Sequence, residues 1–230
     1  MSTYVLVAGA FRGTWAWQFV APRLAAAGHR VIACELTGTG ARADERPSGG
    51  VHLSTWIDDV ARASEPASSV ILVGHSMGGV VAHAAAAVLG SSVERVILLD
   101  APLVGHGQRA VDVSSSGPID ESTFPSADTW IPASPVGPVQ GFVDPILAEW
   151  VNTRLRPTPF QPSLDPVSLE GGVAPIELIF CSLTPAYFPS SLTRSRCDAD
   201  GRPYRLIESH HDAPLLAPHA VADALLEFGV

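Results

Sequence analysis

A serine flanked by glycines is the residue of this 230-residue chain that is best placed for chemistry. Residues 70–79 read VILVGHSMGG, so Ser76 occupies the centre of a Gly-x-Ser-x-Gly pattern. The apolar residues before the pattern predict a buried strand, and the small residues of 80–89 predict a helix after it. A serine on a sharp strand-to-helix turn exposes its hydroxyl, and we therefore predict that Ser76 is a nucleophile.

The sequence neighbours of Ser76 fit that role. Side chains at Gly74 and Gly78 would collide with the neighbouring strand and helix, so both positions must be small. The start of the predicted helix directs backbone N–H groups and a partial positive charge toward the serine, which favours an oxyanion. The alternative interpretation is a glycine-rich turn whose serine only caps the helix.

A serine hydroxyl is a weak nucleophile until a base takes its proton, and histidine suits that role near neutral pH. Of the eight histidines, His211 follows the last predicted strand and precedes an apolar helix. His210 is its rival, and His75 is expected to pack beside Ser76. No two histidines have the spacing of metal ligands, so we expect neither a metal nor another cofactor.

The base in turn needs a carboxylate that fixes its tautomer. Asp100 ends the strand that follows the helix after Ser76, and it should therefore point to the same edge of the sheet. Asp198, Asp200 or no acid at all are the alternatives. Asp100 also has a structural interpretation, in which it caps the loop that follows it.

Predicted strands and helices alternate along the chain and place these residues at one edge of a sheet. Strands are predicted at 3–7, 29–34, 70–73, 93–100, 174–181 and 204–207, and helices at 15–27, 53–63, 80–89 and 217–228. Such alternation is typical of an α/β fold with a mostly parallel sheet and helices on both faces. Ligands of such sheets bind outside the carboxyl ends of the strands. The length suits a single domain spanning 1–230.

The alternation breaks between about 101 and 172, where 11 of the 20 prolines lie. A helical pattern returns only around 142–155. Long irregular insertions are usually functional, and the aromatic residues of this one need an apolar surface to cover. We expect the insertion to form a lid, with Trp130, Phe142 and Trp150 lining the entrance to the Ser76 site. A disordered linker is the alternative.

The composition limits the partners and the compartment. A formal net charge of −9 disfavours nucleic acid and anionic membranes as partners. All 14 basic residues are arginines, so Schiff-base chemistry on a lysine is excluded. The three cysteines form no close pair, and we find no signal-peptide pattern and no apolar run of membrane-spanning length. These features predict a cytoplasmic protein with reduced thiols.

Four stretches of the chain resemble the α/β-hydrolase superfamily, and most closely its small esterase and hydroxynitrile-lyase-like branch. They are VAGAF at 7–11 with WAW at 15–17, GHSMGG at 74–79, LLDAP at 98–102 and SHHD at 209–212. The resemblance covers nearly the whole chain and implies the order serine, acid, histidine. It implies an oxyanion hole formed by the N–H groups of Ala10 and Met77. It also favours His211 over His210, because the family has a small residue before the catalytic histidine.

Two positions depart from the family pattern. Ala8 stands where the family usually has a histidine before the glycine of the oxyanion loop. Thr184 stands where the acid usually follows the strand that ends at Cys181. Because some members of the superfamily carry the acid at the earlier strand, Asp100 is the best candidate.

These observations favour a serine hydrolase that cleaves a carboxylic ester, lactone or thioester of a small hydrophobic substrate through an acyl-enzyme. We include Phe11 and His75 among the substrate-binding residues. A serine nucleophile excludes the epoxide hydrolases and dehalogenases of the fold, and the absence of lysine disfavours hydroxynitrile-lyase activity. The alternative is a non-hydrolytic isomerase, cyclase or binding protein with an altered triad, which the threonine at position 184 keeps open.

Overall fold

A parallel six-stranded sheet forms the centre of the fold in the computed structural model, which describes residues 1–114, 119–172 and 174–229. The strands are β1 (Thr3–Val7), β2 (Arg30–Cys34), β3 (Val70–His75), β4 (Val93–Leu99), β5 (Trp130–Ile131), β6 (Thr158–Pro159), β7 (Ile176–Cys181) and β8 (Arg205–Ile207). The main sheet has the order β2-β1-β3-β4-β7-β8, and every neighbouring pair in it is parallel. The expected α/β class with a mostly parallel sheet is confirmed.

Helices cover both faces of this sheet. The α-helices are α1 (Ala21–Ala26), α2 (Leu53–Ser64), α3 (Met77–Leu89), α4 (Pro145–Asn152), α5 (Gln161–Leu164), α6 (Pro189–Asp200), α7 (Ala213–Leu216) and α8 (Pro218–Phe228). Short 3-10 helices cover Thr14–Trp17, Gly40–Arg42, Gly90–Ser92, Ala110–Val113, Glu121–Thr123 and Pro138–Gln140. Among the described residues, no helix is both long enough and apolar enough to cross a membrane.

Alternate strand residues supply two cores, one on each face of the sheet, as the two-residue period of a strand requires. Leu6 belongs to one buried cluster together with Leu24 of α1 and Val221 of α8. Val7 belongs to the other cluster, which includes Trp56 of α2. Every residue of β3 is buried, since this strand lies in the middle of the sheet with helices on both sides.

The register of the sheet brings three loops together at one edge. Val7 of β1 pairs with Gly74 of β3, and His75 of β3 pairs with Leu99 of β4. The residues that follow these three strands therefore leave the sheet side by side. This edge holds the residues after β1, Ser76 after β3 and Asp100 after β4.

The insertion, residues 101–172, lies between β4 and β7 and contains α4, α5 and the antiparallel pair β5–β6. Phe142 is buried there in a third cluster with Val136, Val151 and Leu215. Residues 115–118, which fall within the expected insertion, lie outside the described part of the chain, as do residues 173 and 230 of the expected single domain.

Two elements differ from the sequence-based expectation. The helix predicted at 15–27 is divided into the 3-10 helix Thr14–Trp17 and α1. Pro22 lies in the first turn of α1, where its missing N–H is harmless, and a longer helix running through it would lose a hydrogen bond. Helix α6 was not expected, and it places Asp198 and Asp200 at a helix end instead of in a loop.

Candidate active site

Ser76 occupies the turn between β3 and α3 in a backbone conformation that is rare for a residue with a side chain. Its φ is +53° and its ψ is −127°. A Cβ at Gly74 would lie 2.3 Å from the carbonyl oxygen of Gly78, and one at Gly78 would lie 2.5 Å from that of Ala8. The expectation that both flanking positions must be small is therefore confirmed, and the limit reflects the tight contact of α3 with β1 and β3.

His211 connects Ser76 to Asp100 through a continuous chain of hydrogen bonds. The imidazole Nε2 lies 3.0 Å from the Ser76 Oγ, and Nδ1 lies 2.6 Å from the Asp100 Oδ2. Because a carboxylate only accepts, Nδ1 carries the proton and Nε2 is free to accept one. This arrangement orients a base against a hydroxyl, as nucleophilic catalysis by serine requires.

Asp100 is buried, and three donors satisfy its carboxylate. Besides His211, the Thr184 Oγ1 donates to Oδ2 at 2.6 Å and the Cys181 N–H donates to Oδ1 at 3.1 Å. Burial alone would raise the pKa of Asp100, but these hydrogen bonds and the imidazole outweigh it and hold the pKa below its ordinary value. Asp100 is therefore an ionised carboxylate near neutral pH.

Backbone strain is concentrated at this site. Among the described residues, the non-glycine residues with positive φ are Phe11 at +67°, Ser76 at +53° and Asp100 at +42°. Ser76 directly follows β3, Asp100 directly follows β4, and Phe11 lies in the loop after β1. These three strands are neighbours in the sheet. Such conformations cost roughly 1–3 kcal/mol each and persist where surrounding packing enforces them, commonly at functional sites.

Two backbone amides near Ser76 belong to different elements. Met77 begins the 13-residue helix α3, and Ala10 lies in the loop after β1. Among the described residues, neither N–H donates a hydrogen bond within the protein. The loop touches the serine closely, since a Cβ at Gly9 would lie 2.8 Å from the Ser76 Cβ. The site thus holds two free donors, and the helix adds its partial positive charge.

His75 lies between the Ser76 turn and the loop that carries His211. Its Nε2 donates to the backbone carbonyl of His211 at 2.8 Å, and the two rings are 4.8 Å apart. Burial, followed by the neighbouring His211, lowers the pKa of His75 well below its ordinary value. His75 is therefore a neutral donor that holds the His211 backbone, and it also lines a cavity beside Ser76.

Two cavities meet at Ser76 and share Ile131, Phe188 and His211 as walls. The larger, cavity A, has a volume of about 600 Å³, and the smaller, cavity B, about 390 Å³. Cavity A is lined by insertion residues that include Ala110, Val111, Ile119, Phe124 and Phe160. Cavity B is lined by residues that include Ala10, Phe11, His75, Pro132 and Val136.

The three aromatic residues that we expected at the entrance lie elsewhere, and this expectation is corrected. None of Trp130, Phe142 and Trp150 is among the described residues that line cavity A or cavity B. Trp130 packs near Gly38 beneath Arg46, Phe142 is buried in its own cluster, and Trp150 packs edge-on against Trp15. Aromatic rings are stabilised by packing against other side chains, and each of these three does so away from Ser76.

The rival base and the rival acids are also placed by the structure. His210 lines cavity B, while His211 contacts Ser76. Asp198 accepts a hydrogen bond from the Tyr204 hydroxyl at 2.6 Å, at the end of α6. Among the described residues, neither Asp198 nor Asp200 forms a hydrogen bond or ion pair with His211.

Sequence reasoning missed some residues that surround the site. Phe188 separates the two cavities, and its place just after the turn that follows β7 was the available signal. Arg12 and Asp212 form an ion pair between the loop of Ala10 and the loop of His211. In the sequence, the only signal for this ion pair was that Arg12 and Asp212 each lie next to a predicted site residue.

Comparison with known proteins finds similarity over nearly the whole chain. A model described as the alpha/beta hydrolase family matches residues 4–224. A carbendazim hydrolyzing esterase of Nocardioides sp. (strain SG-4G) is 29% identical over 244 residues, covering 100% of this chain and 100% of that protein. An alpha-hydroxynitrile lyase of Arabidopsis thaliana is 34% identical over 102 residues, covering 43% of this chain and 39% of that protein.

Solved structures share the fold over the whole chain. Polyneuridine aldehyde esterase superposes with a TM-score of 0.76 at 21% identity, covering 100% of both chains. Tomato methylketone synthase I in complex with 2-tridecanone superposes with a TM-score of 0.73 at 18% identity, covering 99% of this chain and 97% of that one. At such identities the likeness concerns the fold alone.

Proposed function

Since this chain belongs to the alpha/beta hydrolase family, we propose that it hydrolyses a carboxylic ester through an acyl-enzyme formed on Ser76. The observation that carries the proposal is the chain of hydrogen bonds from Ser76 through His211 to Asp100, with lengths of 3.0 Å and 2.6 Å. The full-length similarity to an esterase of Nocardioides supports the same reaction class.

The proposed reaction begins when the Ser76 Oγ attacks the acyl carbon and its proton passes to the His211 Nε2. Asp100 stabilises the imidazolium that forms. The carbonyl oxygen becomes an oxyanion, which accepts hydrogen bonds from the N–H groups of Ala10 and Met77. The tetrahedral intermediate then expels the alcohol, which takes the proton from His211 and leaves the acyl group on Ser76.

The second half of the reaction repeats these roles with water as the nucleophile. His211 removes a proton from water, and the hydroxide attacks the acyl carbon. The proton returns to the Ser76 Oγ as the carboxylic acid departs, so the enzyme is regenerated. His75 takes no proton in this scheme, because burial keeps its ring neutral and committed to the His211 carbonyl.

The two cavities support a hydrophobic substrate with a substantial group on each side of the ester bond. Cavity A carries mainly apolar side chains, among them Phe124 and Phe160, and cavity B lies beside the Ala10 loop. Apolar walls with a few polar groups are typical of small-molecule sites. We propose that the insertion acts as a lid, because its residues form much of the wall of cavity A.

We also propose a reducing, cytoplasmic setting. Cys34, Cys181 and Cys197 are free thiols, and all three are buried. Burial, together with nearby carboxylates, raises the pKa of Cys34 to about 12, so this thiol is inert. Three buried unpaired cysteines suit a compartment in which thiols stay reduced.

A fluorophosphonate probe tests the proposal directly. We expect one equivalent of label on the wild-type protein, located at Ser76 by peptide mass spectrometry, and no label on Ser76→Ala. A panel of p-nitrophenyl esters and aromatic lactones should be turned over by the wild type and not by Ser76→Ala. Circular dichroism of the variant should match the wild type, because a methyl side chain fits the same turn.

Two outcomes would contradict this proposal in different ways. Labelling at another residue, or activity retained in Ser76→Ala, would place the nucleophile elsewhere. Labelling at Ser76 without turnover of any ester, lactone or thioester would favour the non-hydrolytic alternative, an isomerase, cyclase or binding protein built on the same site.

A further inference from the structure

Thr184 occupies the turn after β7 and contacts the carboxylate that holds His211. Its side chain is buried, and its Oγ1 lies 2.6 Å from the Asp100 Oδ2. The same Oδ2 accepts from the His211 Nδ1, also at 2.6 Å. One carboxylate oxygen therefore receives two short hydrogen bonds, and the hydroxyl and the imidazole share it.

The turn that carries Thr184 is anchored from both sides. The Leu183 N–H donates to the Ser209 carbonyl at 3.0 Å, which ties the turn to the loop before His211. The Ser191 hydroxyl of α6 donates to the Thr184 carbonyl at 3.3 Å. These contacts hold the backbone of the turn that carries the Thr184 hydroxyl without involving Asp100.

We propose that Thr184 is a positioning residue, whose hydroxyl fixes the Asp100 carboxylate for His211 and draws charge from the oxygen that His211 uses. The inference rests on the proposed function, since it gives a role to a residue behind the proposed triad. Thr184 stands where the family usually places its acid, and here its hydroxyl donates to the carboxylate of Asp100, which follows the neighbouring strand β4. A hydroxyl suits this position because a second carboxylate there would repel Asp100.

The physical consequence concerns the basicity of His211. A hydrogen bond donated to Oδ2 stabilises the charged carboxylate and weakens it as a partner for imidazolium. Its removal leaves more charge on Oδ2, so the carboxylate attracts the imidazolium more strongly. Other titratable and charged groups also surround Asp100 and His211. They are His75 at the Ser76 turn, Arg12 in the Ala10 loop, Cys181 at the end of β7, Arg194 on α6, and His210 and Asp212 in the His211 loop.

Thr184→Val and Thr184→Ser form the matched pair of variants. Valine keeps the shape and removes the hydroxyl, whereas serine keeps the hydroxyl. For Thr184→Val we expect kcat toward a p-nitrophenyl ester to fall about tenfold with KM nearly unchanged, because the Asp100 carboxylate loses the hydrogen bond that orients it for His211. The acid limb of the kcat profile should move to higher pH, because the imidazolium is attracted more strongly. Thr184→Ser should retain the wild-type profile.

Proton NMR gives a readout that needs no ester turnover. The His211 Nδ1 proton, in a short hydrogen bond with a carboxylate, should resonate far downfield. We expect this resonance to move in Thr184→Val and to return in Thr184→Ser, whatever reaction the protein catalyses. Failure of the esterase proposal would appear as missing turnover, with or without label on Ser76, while the NMR difference between the two variants remained.

The proposal is overturned if Thr184→Val and Thr184→Ser share the wild-type resonance and pH profile. It is also overturned if the two variants lose activity equally, because the loss would then follow from packing and not from the hydroxyl. Should the valine variant fail to fold, Thr184→Ala removes the same hydroxyl without a methyl group against the carboxylate, and the same measurements apply.

Discussion

The guanidinium of Arg12 and the carboxylate of Asp212 form a buried two-point ion pair. The Arg12 Nε and Nη2 donate to the two oxygens of Asp212 at 2.6 Å and 2.7 Å, and Nη1 donates to the Ala10 carbonyl at 3.2 Å. The pair joins the loop that carries Ala10 to the loop that carries His211. Burial alone would raise the pKa of Asp212, but Arg12 and the neighbouring histidines outweigh burial and hold this pKa below its ordinary value.

Arg12→Met should destabilise the protein by about 3–5 kcal/mol at pH 7, because it leaves the Asp212 carboxylate buried without its partner. Urea denaturation gives the free energy of unfolding. The double variant Arg12→Met/Asp212→Leu is the control, and it should recover much of the loss because no uncompensated charge remains. A double variant less stable than Arg12→Met would show that the guanidinium acts through packing alone.

The same pair predicts an opposite response to acid in wild type and variant. In the wild type the folded-state pKa of Asp212 is depressed, so the stability it contributes is present above its unfolded pKa, about 3.9, and is lost as pH falls through the lower folded value. In Arg12→Met burial raises the folded pKa, so the variant regains stability as pH falls from 7 toward 4. Urea denaturation at pH 7 and pH 4.5 should show that the difference in the free energy of unfolding between wild type and Arg12→Met is smaller at pH 4.5.

His211→Ala should reduce kcat/KM for a p-nitrophenyl ester by at least about ten-thousandfold, as much as Ser76→Ala, since nucleophile and base act as a unit. His210→Ala should have a much milder effect, because His210 lines cavity B without contacting the serine in the described structure. Steady-state kinetics on both variants decide between the two histidines, and the reverse ranking would assign the base to His210.

Asp100→Asn should lower kcat on the order of thousands-fold. An amide NH₂ in place of Oδ2 would donate to the His211 Nδ1 and favour the tautomer whose Nε2 carries the proton, and that tautomer cannot take the proton of Ser76. Asp198→Asn, on α6, is the matched control and should be nearly neutral.

A second-site change tests the same assignment from the other direction. Thr184→Asp in the Asp100→Asn background should restore part of the rate, because a carboxylate at 184 starts from a position that already contacts residue 100. Full activity of Asp100→Asn alone would mean that Asp100 does not act as the acid.

Phe124→Ala should raise KM for bulky aryl esters by about tenfold while changing KM for acetyl esters little, because Phe124 lines cavity A. Trp150→Ala is the control: its ring packs against Trp15, 5.4 Å away, so it should lower stability and affect both substrates alike. Kinetics over a series of acyl lengths make the comparison. If Trp150→Ala instead raised KM for the bulky esters alone, Trp150 would line the entrance to the site, as first expected from the sequence.

Local patterns in the sequence were enough for the framework of the fold and for part of the candidate site. The alternation of apolar strands with helices predicted a parallel sheet, and VILVGHSMGG predicted the strand, turn and helix around Ser76. Because the predicted sheet was mostly parallel, the residues that follow β3 and β4 were expected at the same edge. Asp100 was thereby a candidate before any distance was known, since strand direction alone decides at which edge a terminal residue lies.

Only the tertiary structure decided which side chains meet. Arg12 and Asp212 are 200 residues apart, and Asp100 and Thr184 are 84 apart, so no periodic pattern links them. The proline-rich insertion carries too little periodicity to show which aromatic rings face a cavity, and Trp130, Phe142 and Trp150 instead pack against other side chains. Sequence patterns record local backbone preference and the burial of a face, whereas such contacts depend on how distant loops pack and on where each side chain points.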